Sequence, residues 1–240
     1  KSMRKLKRDE WLVGRGWFRD GWKNSVWPHK KELDKIAPNN PAVMMNRDQH
    51  AIWVNSKTLK IAGINADTPD PKGGEIVRDQ SGEPTGILKD TAAQPVYKKM
   101  KAPTGRRAME LLKKAEEHAH SLGITGVASF DYVDGFKKVQ EFHRRYGLGL
   151  RINQYIPSAH LDDLLSLGIR SGFGDRFLRI AGVKYFADGA LGSQTALMSK
   201  PYKGTRSNYG LALYDQDELD AEIKKCNKAG LNVAIHAIGD

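Results

Sequence analysis

Apolar and polar residues follow two different rhythms along the chain, and the change falls near residue 104. Beyond that point, strand-like and helical patterns alternate, and each strand–helix pair takes up about 30 residues. The predicted strands are 124–130, 150–156, 178–186 and 231–236, and the predicted helices are 106–122, 136–146, 161–167 and 217–229. Strands that alternate with helices in this way predict βα units and a parallel sheet.

The first part of the chain is less regular. Short apolar runs predict strands over 11–18 and 42–46 and a hairpin formed by 75–78 and 86–88. Helices are predicted over 30–36 and 56–62, the second with Ser56 as its N-cap and Gly63 just past its end. We therefore expect an α+β segment over 1–103. An α/β domain over 104–240 would be either part of a (β/α)8 TIM barrel or a doubly wound sheet.

Composition excludes several classes of protein. Of 240 residues, 40% are hydrophobic and one is cysteine, which rules out a disulfide framework and a cysteine-based zinc finger. No apolar run approaches the roughly 20 residues that cross a bilayer. The net charge of +11 comes mostly from residues 1–120, but the basic residues alternate with acidic ones and no nucleic-acid-binding motif is present. We expect a cytoplasmic protein without a membrane or nucleic-acid partner.

Two side chains at the predicted strands could carry chemistry. Lys184 lies in the apolar strand 178–186, where a buried ammonium needs a partner or a lowered pKa. The alternative is a lysine whose stem lies along the sheet and whose charge reaches solvent. His236 ends the last strand, where a neutral imidazole could bind zinc or simply be a hydrogen-bonded buried histidine.

Other candidates are weaker. His118 and His120 lie two apart on a predicted helix, so their side chains diverge and cannot share a metal. Cys226 lies on a predicted helix and is expected to be buried by packing rather than to act as a nucleophile. The stretch NRDQHAIWVNSKTL contains His50, Trp53 and Asn55, which could line a pocket or form a packed loop.

Five segments together resemble the amidohydrolase superfamily, in the branch called amidohydrolase family 3. That branch includes N-substituted formamide deformylase-like proteins and proteins like the exoenzyme regulatory protein AepA. The matching segments are GRGW (14–17), residues 33–90, GITGVASFD (123–131), VKYFADGALGSQTA (183–196) and VAIHAIGD (233–240). They cover nearly the whole chain in the order typical of the family.

The resemblance implies a distorted barrel, with about strands 2–5 in this chain, and one or two divalent metals, usually zinc. The family's ligands are a His-x-His on the first strand, a Lys, often carboxylated, on the fourth, His on the fifth and sixth and Asp on the eighth. Matched by position, Lys184 and His236 are the fourth- and fifth-strand ligands. The remaining ligands and the catalytic Asp are expected outside this chain.

The resemblance also assigns roles outside the metal ligands. It places residues 16–90 as a cover over the strand ends, with His50, Trp53 and Asn55 as pocket residues. Asp188 and Ser193 would orient the ligands, although Asp188 could instead only shape the glycine-rich turn that follows the lysine strand.

On this interpretation, metal-activated water hydrolyses an amide- or formamide-type C–N bond of a small-molecule substrate. A catalytically inactive regulatory or binding protein on the same fold is the alternative, and a basic nucleic-acid-binding module is a third hypothesis. We expect the chain to be an internal piece of a longer polypeptide, inactive alone. Its exposed sheet edges would favour self-association into a homo-oligomer.

Overall fold

The chain folds into two units, each built on its own β-sheet. The structure, a computed structural model, describes residues 6–23, 26–100 and 102–240. The first unit comprises Lys1–Lys101, Asp188–Leu213 and Ala237–Asp240, and the second comprises Ala102–Ala187 and Tyr214–His236. The predicted division between 103 and 104 lies close to the first of these boundaries. However, the segment that follows the lysine strand and the last four residues group with the first unit.

The first unit contains a five-stranded mixed sheet and three short α-helices. Its elements are β1 (Leu12–Trp17), α1 (Lys30–Ile36), β2 (Ala42–Asn46), β3 (Ala51–Val54), α2 (Ser56–Ala62), β4 (Gly74–Arg78), β5 (Pro84–Asp90) and α3 (Gln94–Lys99). The strand order is β1-β2-β3-β5-β4, with β1 parallel to β2 and the other pairs antiparallel. β3 and α3 were not predicted.

Side chains alternate between the two faces along each strand of this sheet, and the apolar side chains on one face form its main core. The buried cluster on one face includes Val43, Met45, Ile52, Val54, Ile76 and Leu88. Leu59 of α2 and Val96 of α3 belong to the same cluster, so these two helices cover that face. The burial of Val96 explains why α3 forms although it has only six residues, since most helical stability in a protein comes from the packing of an apolar face.

Asn55 ties three parts of the first unit together. Its Oδ1 accepts hydrogen bonds from the backbone N–H groups of Thr58 and Ala42, and its Nδ2 donates to the carbonyls of Ala37 and Asn40. Asn55 is therefore the N-cap of α2, and the prediction of Ser56 is wrong by one residue. Both residue types cap helices well, so sequence preference alone could not distinguish them.

The second unit is a layer of helices on a parallel sheet, as the alternating pattern predicted. Its elements are α4 (Gly105–Ser121), β6 (Gly126–Ser129), α5 (Val133–Tyr146), β7 (Arg151–Pro157), α6 (Leu161–Ser166), β8 (Leu178–Phe186), α7 (Gln216–Ala229) and β9 (Val233–His236). The order is β6-β7-β8-β9, and every pair is parallel. All eight elements were predicted, with boundaries that differ by up to three residues.

One face of the parallel sheet packs against the helices. Ile156, Val183 and Tyr185 lie in a buried cluster with residues of α6 and α7, and Met109 and Phe142 of α4 and α5 pack in a second cluster. Because side chains alternate along a strand, Lys184 and Phe186 lie on the opposite face from Val183 and Tyr185. In the described part of the chain, no helix is both long enough and apolar enough to span a membrane.

The Asn55 network generates a test of the first unit. Asn55→Ala removes the cap of α2 and leaves buried backbone groups without partners, so it should lower the free energy of unfolding by about 2–4 kcal/mol. Ser56→Ala is the matched control, because the exposed Ser56 hydroxyl donates one hydrogen bond, to Asp34, among the residues that the structure describes. Its loss should cost under about 1 kcal/mol. Urea unfolding measures both variants, and equal losses would contradict the assignment of the cap.

Candidate functional site

Lys184 and His236 lie on neighbouring parallel strands at the same edge of the second sheet. In the register of β8 and β9, Lys184 is opposite Ala234 and Phe186 is opposite His236. Lys184, Phe186 and His236 therefore share one face, the face opposite the helix-packed core. Parallel strands bring their carboxyl ends to a common edge, which is where barrel enzymes hold their reactive groups.

The Lys184 ammonium is held by a carbonyl and two aromatic rings. Its Nζ donates to the Tyr185 carbonyl at 3.0 Å, and it lies 4.3 Å from the ring centroid of Phe186 and 5.2 Å from that of Phe130. Burial lowers the pKa of Lys184 below its ordinary value. Lys184 therefore loses its proton more readily than a solvated lysine does. Only the resulting neutral amine can coordinate a cation or take up CO2.

Phe186 also contacts the second candidate. Its ring centroid lies 5.3 Å from that of His236, a half-buried side chain. One phenylalanine therefore packs against both Lys184 and His236. Sequence reasoning missed Phe130 and Phe186 because an aromatic residue near a strand end carries no signal of what its ring will contact.

The two side chains fit part of a metal site. An imidazole and a carboxylated lysine are nitrogen and oxygen donors, the kinds of ligand that zinc accepts. Among the described residues, no three His, Cys, Asp or Glu side chains converge in a way that could hold a metal ion. That Lys184 and His236 are two ligands of a larger set stays a prediction.

In the first unit, His50 is bound to a carboxylate that the sequence analysis did not identify. His50 Nδ1 lies 2.6 Å from Asp90 Oδ1, and 14% and 10% of the two side chains are exposed. Burial alone would lower the pKa of His50, but the hydrogen bond and charge of Asp90, with the charges of Asp48 and Asp188, raise it overall. Asp90 was missed because β3, which brings His50 opposite it, was not predicted.

The other two pocket candidates of this segment differ from each other. Asn55 makes its hydrogen bonds inside the protein and has no donor or acceptor left for a substrate. The Trp53 indole Nε1 is buried and has no hydrogen-bond partner among the residues that the structure describes. Trp53 thus retains a donor, whereas Asn55 has a structural role.

Asp188 and Ser193 organise the loop that follows β8. Asp188 Oδ2 accepts from the N–H groups of Leu197 and Gly239, and Oδ1 accepts from that of Ile238. The buried Ser193 hydroxyl lies 3.1 Å from the Ala190 carbonyl, to which it donates. These bonds correspond to the loop-shaping alternative for Asp188, and its action on a metal ligand stays a prediction.

Comparison with known proteins identifies the family. The sequence pattern of the amidohydrolase family matches residues 1–240. The chain belongs to the amidohydrolase family. It is also similar to a crystal structure of an uncharacterized metal-dependent hydrolase from Pyrococcus horikoshii OT3. The TM-score is 0.67 and the identity 32%, over 99% of this chain and 46% of the other.

Two curated relatives are similar to this chain along nearly its whole length. The protein LONG AFTER FAR-RED 3 of Arabidopsis thaliana is 35% identical over an alignment of 251 positions, which covers 100% of this chain and 43% of that protein. The N-substituted formamide deformylase of Arthrobacter pascens is 30% identical over 99% of this chain and 45% of its own. The chain thus spans about half the length of the curated relatives it matches.

The Asp188 geometry generates a second prediction. Asp188→Asn replaces one acceptor oxygen by an NH2 group that faces a backbone N–H, so it should cost about 1–3 kcal/mol of stability. The control is Asp215→Asn, because Asp215 caps α7 and asparagine caps a helix about as well, within about 0.5 kcal/mol. Chemical unfolding of both variants measures the difference, and a tolerated Asp188→Asn would show that the three bonds are dispensable.

Proposed function

We propose that the protein to which this chain belongs is a metal-dependent hydrolase of amide- or formamide-type C–N bonds, with Lys184 and His236 among its metal ligands. The observation that carries the proposal is their placement on one face and one edge of neighbouring parallel strands. Family membership and the likeness to a metal-dependent hydrolase support the reaction class. The substrate class follows from the relative that is an N-substituted formamide deformylase.

The sheet β6–β9 would be about strands 2–5 of a (β/α)8 barrel. Its sequential, all-parallel order, with a helix in each crossover, is what a barrel segment requires. The chain matches only 46% of the Pyrococcus structure, which supports a partial barrel within the longer proteins of the family.

Four side chains of the second unit have a task in this proposal. His236 would coordinate through a neutral imidazole, and Lys184 through the oxygens it gains when its amine is carboxylated. A divalent cation bound there supplies Lewis-acid polarisation of the scissile carbonyl and lowers the pKa of water. Phe130 and Phe186 pack against the lysine nitrogen. Burial lowers the pKa of Lys184, which favours the neutral amine that carboxylation needs.

The first unit would contribute to recognition of the small-molecule substrate. His50 and Trp53 are the residues we assign to it, because His50 is fixed by Asp90 and Trp53 has an indole N–H without a partner in the described residues. Ser193 and Asp188 would shape the loop that follows the lysine strand.

Loss of Lys184 tests the metal site in the full-length protein. Lys184→Ala should reduce metal affinity by more than the roughly 10- to 100-fold that loss of an outer-shell partner causes, and abolish hydrolysis of N-substituted formamides. Arg179→Ala is the control, since Arg179 is an exposed cation at the amino end of the same strand. Elemental mass spectrometry gives metal per chain, and a panel of N-substituted formamides gives activity.

Two results would overturn the proposal. One is full activity of the wild-type protein after metal has been stripped by a chelator. The other is an unchanged metal content in Lys184→Ala when Arg179→Ala is also unchanged.

A further inference from the structure

Asp90 occupies a backbone conformation that glycine adopts far more readily. At the end of β5 its φ is +46° and its ψ is −121°, near the first central position of a type II′ turn. A side chain is strained there, whereas glycine is not. The path of the chain therefore does not explain an aspartate at this position.

The carboxylate of Asp90 instead fixes His50. Besides the 2.6 Å contact between Asp90 Oδ1 and the His50 ring, the Asp90 N–H donates to the His50 carbonyl at 2.9 Å. The His50 N–H in turn donates to Asp48 Oδ1 at 2.9 Å. The ring and backbone of His50 are thus both held by acidic residues in the first unit.

The second carboxylate oxygen of Asp90 lacks a partner. Asp90 Oδ2 is buried, and no donor within the described residues reaches it. A carboxylate oxygen withdrawn from water without a hydrogen bond costs free energy, so native structures supply such atoms with a donor from protein, water or ligand. The strained backbone and the unpartnered oxygen occur at the same residue.

We propose that Asp90 and His50 form a recognition site for an N–H group of a small ligand, in which Asp90 Oδ2 accepts the hydrogen bond. The choice of an N–H ligand rests on the proposed function, because the nitrogen of a C–N substrate, or of the amine it releases, is such a donor. Asp48 and Asp188 add negative charge around His50, which also favours an N–H donor over an anion. The shared chemistry is the N–H group, supplied by a neutral amide or by an ammonium ion.

Ligand titrations of the full-length, chelator-treated protein test this directly, without dependence on the metal site. The probe is the Cε1–H resonance of His50, assigned by its disappearance in His50→Gln. N-methylformamide should shift it in a saturable way, whereas N,N-dimethylformamide, which has no N–H, should not. Methylammonium chloride tests whether an ammonium ion supplies the N–H group, with sodium chloride at the same concentration as the control for ionic strength.

Variants at Asp90 test the role of the carboxylate. Asp90→Gly and Asp90→Asn should each weaken the response to the N–H probe by about tenfold or more, since one charge-assisted hydrogen bond is lost. They should also lower the pKa of His50, because burial lowers it and the hydrogen bond and charge of Asp90 that raise it are removed. Asp9→Gly is the matched control, as Asp9 has a φ of +64° in the same unit but an exposed side chain that pairs with Lys57.

The outcomes separate cleanly. Asp90→Gly relieves the backbone strain but removes the partner of the His50 ring, so thermal unfolding serves to confirm that the variant is folded at the titration temperature while its response to the probe is lost. Equal shifts with both formamides, or no shift with any N–H probe, would overturn the proposal and leave a buried water as the partner of Asp90. Neither result bears on metal binding by Lys184, which the Arg179 and Lys184 variants test separately.

Discussion

The parallel pairing of β6 to β9 is the constraint on which the candidate metal centre depends. In a parallel sheet every strand must be followed by a crossover that returns the chain to the same starting edge, and helices α5, α6 and α7 lie in these crossovers. Two residues that are 52 positions apart in the sequence, Lys184 and His236, therefore meet at one edge. Alternation then places both on the face that the helices do not cover.

Three polar side chains of the first unit show how differently a buried polar group can be used. Asn55 and Asp188 give their oxygens to backbone N–H groups, so their cost of burial is offset within the fold itself. Asp90 differs, because one oxygen holds His50 and the other is left over at a strained residue. A fold tolerates such a residue where the chemistry of its side chain is needed.

Much of the second unit could be predicted from the sequence, because its strands and helices are long enough to show clear periodicity. In the first unit, β3 has four residues and α3 has six with a proline near its start, and both depend on neighbours to form. Lys184 and His236 could be singled out by their position at strand ends. The metal-ligand roles proposed for them, however, rest on the resemblance, since the pattern of a lysine in an apolar strand fits a surface residue equally well.

Asp90 was beyond sequence reasoning for a specific physical reason. Nothing in the letters KD indicates a positive φ, and the contact with His50 exists only because β3 pairs with β5. The contacts of Phe186 could not be predicted either, since its position beside both Lys184 and His236 follows from the register of β8 with β9. Register and backbone conformation are properties of the assembled sheet, and local patterns do not encode them.

The single cysteine of the chain gives the second unit a reporter of its own opening. Cys226 is 0% exposed beneath Tyr185, whose hydroxyl lies 3.3 Å from its Sγ, and burial raises the pKa of its thiol. Only the thiolate attacks an alkylating reagent, and the buried thiol cannot reach one, so modification must wait until α7 separates from the sheet. The alkylation rate of Cys226 therefore measures the local opening of α7 from the parallel sheet.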